Sequence, residues 1–258
     1  MTIGIPGNDP FDPVTILNKD GTSPFVLVCE HASNFRPAAY GDLGLKASDL
    51  EAHIAWDPGA LGVSTELSKL LDAPLVHSNV SRLIIDCNRA EDAHDLVPSC
   101  SELTNIPKNM GIDSEERSRR IALSHAPFHA AVEAIIEDRL AMGKETAIVS
   151  LHSYTPIYKG FSRPWEIGLI YGQDASLAKP ALKALNATPY NVGDNEPYSP
   201  SDGVYYTLHR HGEARGLKSL MIEIRNDEIA DTASESAWAK RLAPILTEAL
   251  ELSGGDNA

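Results

Sequence analysis

The stretch FVLVCEHASN, residues 25–34, opens with five apolar residues and closes with polar ones. Phe25–Cys29 has the length and the lack of alternation of a strand buried on both faces, as in a parallel sheet covered by helices. Glu30 and His31 then arrive together at the carboxyl end of that strand, where open α/β sheets keep their ligand crevice. Similar apolar runs recur at residues 74–77, 83–87, 146–151, 167–171 and 219–224. Helical patterns alternate with them at residues 59–71, 114–140, 175–186, 204–214 and 234–252. This alternation predicts a single α/β domain over residues 1–258, long enough to bury a site between its layers.

Composition narrows the possible partners. Lys and Arg number 22 against 36 Asp and Glu, a formal net charge of -14, which repels phosphate backbones and anionic membranes. Neither nucleic acid nor a membrane is an expected partner. Cys29, Cys87 and Cys100 have no C-x-x-C spacing, which argues against a disulfide framework or a cysteine-zinc site. The amino terminus MTIGIPGNDPFDP lacks a basic start and an apolar core, and no stretch approaches the roughly 18 apolar residues of a membrane span. A cytoplasmic protein is the expectation. Residues 91–112 and 187–200 are long, polar and rich in Pro and Asn, so they read as lids over a site, as surface insertions or as parts of a subunit interface. Oligomeric state is left open.

The oddity of Glu30-His31 is repeated. RLIIDCNRAED carries an apolar run into Asp86, Asn88 and Arg89; TAIVSLHSYTP ends in His152, Ser153 and Tyr154; SLMIEIRND carries Glu223 and Arg225. Buried unpaired charge is expensive, so these ends are best explained if they converge on one crevice and satisfy one another. Two histidines on separate strands plus a carboxylate suit a catalytic zinc with an open water position, and a further carboxylate can take the water's proton. The planar fork of Arg89 suits a substrate carboxylate. Each residue also has a structural reading: hydrogen-bonded histidines, a Glu223–Arg225 salt bridge on one strand face, and Asn88 and Arg89 capping a turn.

The ordered set CEHASN, HIAWDPGA, SRLIIDCNR, HAPFHAAVE, SLHSYTP and EIRND resembles the N-formylglutamate amidohydrolase family, from about Val26 to Asp227. Asp86–Arg89, His152–Tyr154 and Glu223–Arg225 also resemble zinc carboxypeptidase and aspartoacylase signatures. The resemblance implies a three-layer, zinc-carboxypeptidase-like α/β fold, a mixed and mostly parallel sheet flanked by helices with zinc at its carboxyl edge. It implies that His31 and His152 bind zinc, that Glu223 is the general base, and that Asn88 with Arg89 holds the substrate carboxylate. The carboxypeptidase glutamate three residues after the first histidine is replaced by Asn34, a poor zinc ligand. Asp57 is the favoured replacement and Glu30 the alternative, the latter only if the strand breaks before His31. The family's usual Pro-His-Ser-Gly is Glu30-His31-Ala32-Ser33 here, a divergent branch.

His125 and His129 are spaced i,i+4 on the helix predicted over 114–140, with a kink expected at Pro127. His129 reads as a substrate contact or a structural residue. Arg82, Arg163, His211 and Arg225 lie in stretches the family shares; they would bind an acidic substrate or polarise the scissile carbonyl, with Arg82 placed beside Glu223 in the catalytic set. The expected reaction is hydrolysis of the C–N amide of a small anionic N-acyl amino acid by one Zn2+ per chain, N-formyl-L-glutamate giving formate and glutamate. Another N-acyl amino acid, a small peptide or a cell-wall amide are alternative substrates, and a non-catalytic module binding an acidic ligand is the alternative class.

Overall fold

The computed structural model describes residues 11–254. Residues 1–10, most of the stretch read for a leader, and 255–258 lie outside the described residues. The strands are β1 (Val14–Leu17), β2 (Phe25–Cys29), β3 (Leu75–Ser78), β4 (Cys100–Ser101), β5 (Thr104–Asn105), β6 (Ala147–Tyr154), β7 (Ile157–Tyr158), β8 (Phe161–Ser162), β9 (Ile167–Ile170), β10 (Val192–Asp194) and β11 (Ser219–Arg225). The α-helices are α1 (Ala47–Glu51), α2 (Ala60–Leu71), α3 (Ser114–Arg120), α4 (Ala126–Ala141), α5 (Ala178–Leu185), α6 (Tyr206–His211) and α7 (Thr232–Ser253). Seven strands form the central sheet in the order β1-β3-β2-β6-β11-β9-β10, while β4–β5 and β7–β8 are separate hairpins. The sheet is mixed: β3-β2-β6-β11 run parallel, and β1 and β9 pair antiparallel to β3 and β11.

Side-chain alternation along the central strands divides the core in two. Phe25, Leu27 and Cys29 pack with Val63 and Leu67 of α2 and Trp238, Leu242 and Leu246 of α7. Val26 and Val28 join Ile148 and Met221 against Phe128, Val132 and Ile136 of α4 and Leu208 of α6. With both faces covered, β2 has no polar alternation, and its run of buried residues reads as observed. The expected fold, a mixed and mostly parallel sheet flanked by helices, is the one formed. Among the described residues no helix is long and apolar enough to cross a membrane.

Several expectations are corrected. Residues 83–87 are not a strand. The backbone turns there, with Ile84 N–H bonded to Ser81 O and Asp86 N–H to Leu96 O. Leu83, Ile84 and Ile85 are all buried in a third cluster with Leu43, Val80, Leu96 and Ile106. A short apolar run fixes burial, not period, and here the Ser81 hydroxyl accepting from Leu83 N–H favours the turn. The helix over 114–140 is divided at a π-helical segment, Ile121–His125, whose wider turn delivers the chain to Pro127 near the start of α4. The segment 187–200 contains the edge strand β10, and β1 was not foreseen.

Candidate metal centre and its cavity

β2 stops at Cys29, so His31 leaves the strand in a turn and swings over the sheet's carboxyl edge. His152 remains in β6, in register with Glu223 of β11, and their side chains share the α4 face with Ser150 and Met221. Asp57 arrives from the loop before α2: its N–H bonds to His31 O at 2.9 Å, and its carbonyl accepts from Ala60 N–H at 3.2 Å. Gly59 between them has φ of 79°, and a Cβ there would meet Ile229 O at 2.4 Å. Glycine is therefore required for HIAWDPGA to present Asp57 inward.

The three residues converge. His31 Nδ1 and His152 Nδ1 lie 3.2 and 2.7 Å from Asp57 Oδ2, and one donor atom from each residue falls within 4.8 Å of the others. All three are buried. The opposite ring nitrogens face carboxylates: His31 Nε2 is 2.7 Å from Asp86 Oδ1, and His152 Nε2 is 3.2 Å from Glu30 Oε2, which also accepts from the Ser150 hydroxyl. A carboxylate behind each ligating imidazole is the arrangement that fixes tautomer and raises basicity at metal centres. Glu30, the alternative ligand, takes this supporting place, while Asp57 stands with the histidines.

Charge points the same way. Burial opposes ionisation of Asp57, Asp86 and Glu30, yet the neighbouring histidines, with Arg82 at Asp86, hold all three below the usual carboxylate range. Burial likewise opposes a charge on His152, but Glu30 and Asp57 raise it well above an ordinary histidine. Arg82, on Asp57 Oδ1 at 3.3 Å and Asp86 Oδ2 at 2.8 Å, offsets one negative charge. With neutral histidines, two of the three remain unbalanced. A dication on a nitrogen–nitrogen–oxygen donor set would balance them, and that donor set fits zinc.

Glu223 stands on the neighbouring strand. Burial pushes its carboxyl up to about 7, and its Oε2 has no hydrogen-bond partner among the described residues. Opposite it in register on β9 is Gly168, where a Cβ would strike Glu196 O at 1.8 Å. The missing side chain lets Glu196 and Pro197 pass close over the strand. Glu223 opens on a cavity of about 500 Å³ whose wall includes His31, Asp57, His152 and Arg82.

The comparisons agree with this architecture. The N-formylglutamate amidohydrolase family pattern matches residues 23–230. The chain belongs to this family. It is a hydrolase. A gene product of Agrobacterium tumefaciens of known structure is 41% identical, with a TM-score of 0.92 over 93% of this chain and 96% of that one. The N-formylglutamate amidohydrolase of Ralstonia eutropha shares the fold at 19% identity and a TM-score of 0.69, over 94% and 99% of the two chains. No curated protein matches the chain.

The remaining members of the family motifs take varied places. Arg89 and Asn88 line the cavity, but Asn88 is spent on backbone: its amide donates to Val204 O and its carbonyl accepts from Thr207 N–H. Arg89 Nε pairs with Asp95 at 2.8 Å. Arg163 also lines the cavity. His129 and Arg225 do not. His129 lies beneath the Cys87 turn, bonded to Cys87 O and His211 Nε2, and Arg225 is largely buried among Asp227, Glu228 and Glu166. Both long polar segments contribute wall, through Pro98 and Glu102 and through Pro197 and Tyr198. Glu102 joins two parts of the rim, accepting from Lys159 N–H at 2.8 Å and lying 3.0 Å from His53 Nε2. Sequence reasoning named Asp86 without a role and missed Asp95, Tyr158 and Tyr198, which reach the cavity from separate segments with no spacing to link them.

Proposed function

We propose that this chain is a zinc-dependent amidohydrolase that cleaves the C–N amide of an N-acylated acidic amino acid, with N-formyl-L-glutamate as the first candidate and formate and L-glutamate as products. One observation carries the reading: three buried ligand atoms converge on one point, each imidazole is backed by a carboxylate, and an unpartnered carboxylate oxygen of Glu223 opens on the same cavity. His31, Asp57 and His152 would hold the metal, which when bound supplies a Lewis acid for the amide carbonyl and lowers the pKa of water.

Glu223 is the proton carrier. Its unpartnered Oε2 takes a proton from the attacking water and returns it to the leaving nitrogen. Asp86 and Glu30 hold the two imidazoles in one orientation, and Arg82 keeps Asp57 and Asp86 ionised and in place. The -14 charge of the chain does not bar an anionic substrate, because one arginine of this cavity, Arg163, has no carboxylate within ion-pair distance among the described residues.

The test is formate release from N-formyl-L-glutamate before and after chelation, beside metal analysis of the same preparation. Glu223→Gln is expected to keep its zinc and to lose roughly 10²- to 10⁴-fold in kcat, the usual span for a general acid–base group. Near wild-type turnover in that variant would remove Glu223 from the mechanism.

A further inference from the structure

The cavity's three arginines differ in what already neutralises them. Arg82 is held by Asp57 and Asp86. Arg89 is held by Asp95, with Asp86 Oδ2 4.0 Å from its Nη1. Arg163 has no carboxylate within ion-pair distance among the described residues, although it is only 8% exposed. Its partners are neutral. Nε donates to Thr155 O at 2.9 Å and Nη1 to the Tyr198 hydroxyl at 2.7 Å. The rings of Tyr154, Tyr158 and Tyr198 surround its Cζ at 4.8, 4.9 and 5.2 Å.

An arginine fork has five N–H donors, and two are used here. A guanidinium this deep in a cavity wall is costly without a counter-ion, and the aromatic faces offset only part of that cost. The tyrosines fix the plane of the fork while leaving its other donors free, which is preorganisation for a planar, bidentate anion. We infer that Arg163, rather than Arg89, is the anchor for a substrate carboxylate, and that its tyrosine cage makes this enzyme selective for dicarboxylic N-acyl amino acids over their amides. Arg89 already has Asp95 as its counter-ion, so a second carboxylate there would share a charge that is partly neutralised, whereas Arg163 has none to share among the described residues.

The inference rests on the proposed amide hydrolysis for its substrates but not for its ligand class, so two measurements are paired. Steady-state kinetics would compare wild type, Arg163→Gln, Arg163→Lys and Arg89→Gln on N-formyl-L-glutamate, N-formyl-L-glutamine and N-formyl-L-isoglutamine; each of the last two lacks one carboxylate. Arg163→Gln is expected to lower kcat/KM on the diacid about 10- to 150-fold, mainly through KM, the range of a charge-assisted hydrogen bond. The loss should vanish on one of the two monoamides. Arg163→Lys should fall between, because it restores the charge without the fork. If the glutamine variant does not fold, the lysine variant decides by the same selective loss. A loss equal on all three substrates, no loss, or the selective loss appearing in Arg89→Gln would overturn the assignment.

Calorimetric binding of glutarate, which has two carboxylates and no amide, separates the inference from the reaction. Glutarate binding that weakens by the same factor in Arg163→Gln upholds the anchor even if no formyl substrate is turned over, and in that case the proposed reaction fails alone. Glutarate that binds wild type and Arg163→Gln alike, or binds neither, refutes the anchor whatever the enzyme hydrolyses.

Discussion

Two groups of buried histidines lie on either side of the turn that holds Asp86, Cys87 and Arg89. His31 and His152 meet at Asp57 with further carboxylates behind them. Among the described residues the hydrogen bonds of His125, His129 and His211 go to one another and to backbone carbonyls: His129 Nε2 donates to Cys87 O, His125 Nε2 donates to Arg89 O, and His129 Nδ1 accepts from His211. The nearest carboxylate to this second group is Glu91, 3.8 Å from His125. Burial is similar in both, so burial does not separate them. Their neighbours do. His152 is raised well above its ordinary value, while burial and the neighbouring histidines push His129 down to about 2 and burial with Arg210 takes His211 down to about 4. One group sits among carboxylates and could hold a cation; the other is neutral packing beneath the turn carrying Arg89.

The difference is sharpest at the proposed ligands themselves. His152→Ala should give protein with little or no bound zinc and turnover at background, measured by metal analysis and formate release, whereas His129→Gln should retain its zinc. Equal zinc content in the two variants would break the distinction. Asp86→Asn is the next step down: it keeps an oxygen near His31 Nε2 but removes the charge. It should weaken zinc about 10- to 100-fold in a chelator competition, the usual effect of a lost supporting carboxylate. An unchanged affinity would show that His31 needs a hydrogen bond there and not an anion.

How much of this was legible in the sequence depends on which residues share an element. His152 and Glu223 were readable because each ends an apolar run, and strand register alone brings them side by side. Phe25–Cys29 matched because a strand covered on both faces has no alternation to misread. The turn at residues 83–87 was misread for the same reason, since an apolar run says only that its residues are buried. The spacing of His125 and His129 did not show which histidine would meet a carboxylate, because that was decided by the π-helical segment and by His211 from α6. The tyrosines around Arg163 come from β6, the β7–β8 hairpin and the 187–200 segment, and nothing local relates them.

The smallest expected effect tests the neutral group directly. A histidine whose value falls from about 6.5 in the unfolded chain to about 2 in the fold contributes stability that is fully present above pH 6.5. Below 6.5 the unfolded chain binds a proton that the folded His129 refuses, so stability is lost as the pH falls toward 2. Each such proton steepens the fall by about 1.4 kcal/mol per pH unit. His129→Gln should therefore cost about 1–2 kcal/mol at pH 8, from the hydrogen bond to His211, yet lose stability less steeply than wild type between pH 6 and about 4. Urea unfolding of both proteins across that range gives the difference between the curves, in which the titration of the His31–Asp57–His152 group is common to both and cancels. Parallel curves would mean that His129 carries a proton in the fold, and the contrast between a carboxylate-backed and a neutral histidine group would be lost.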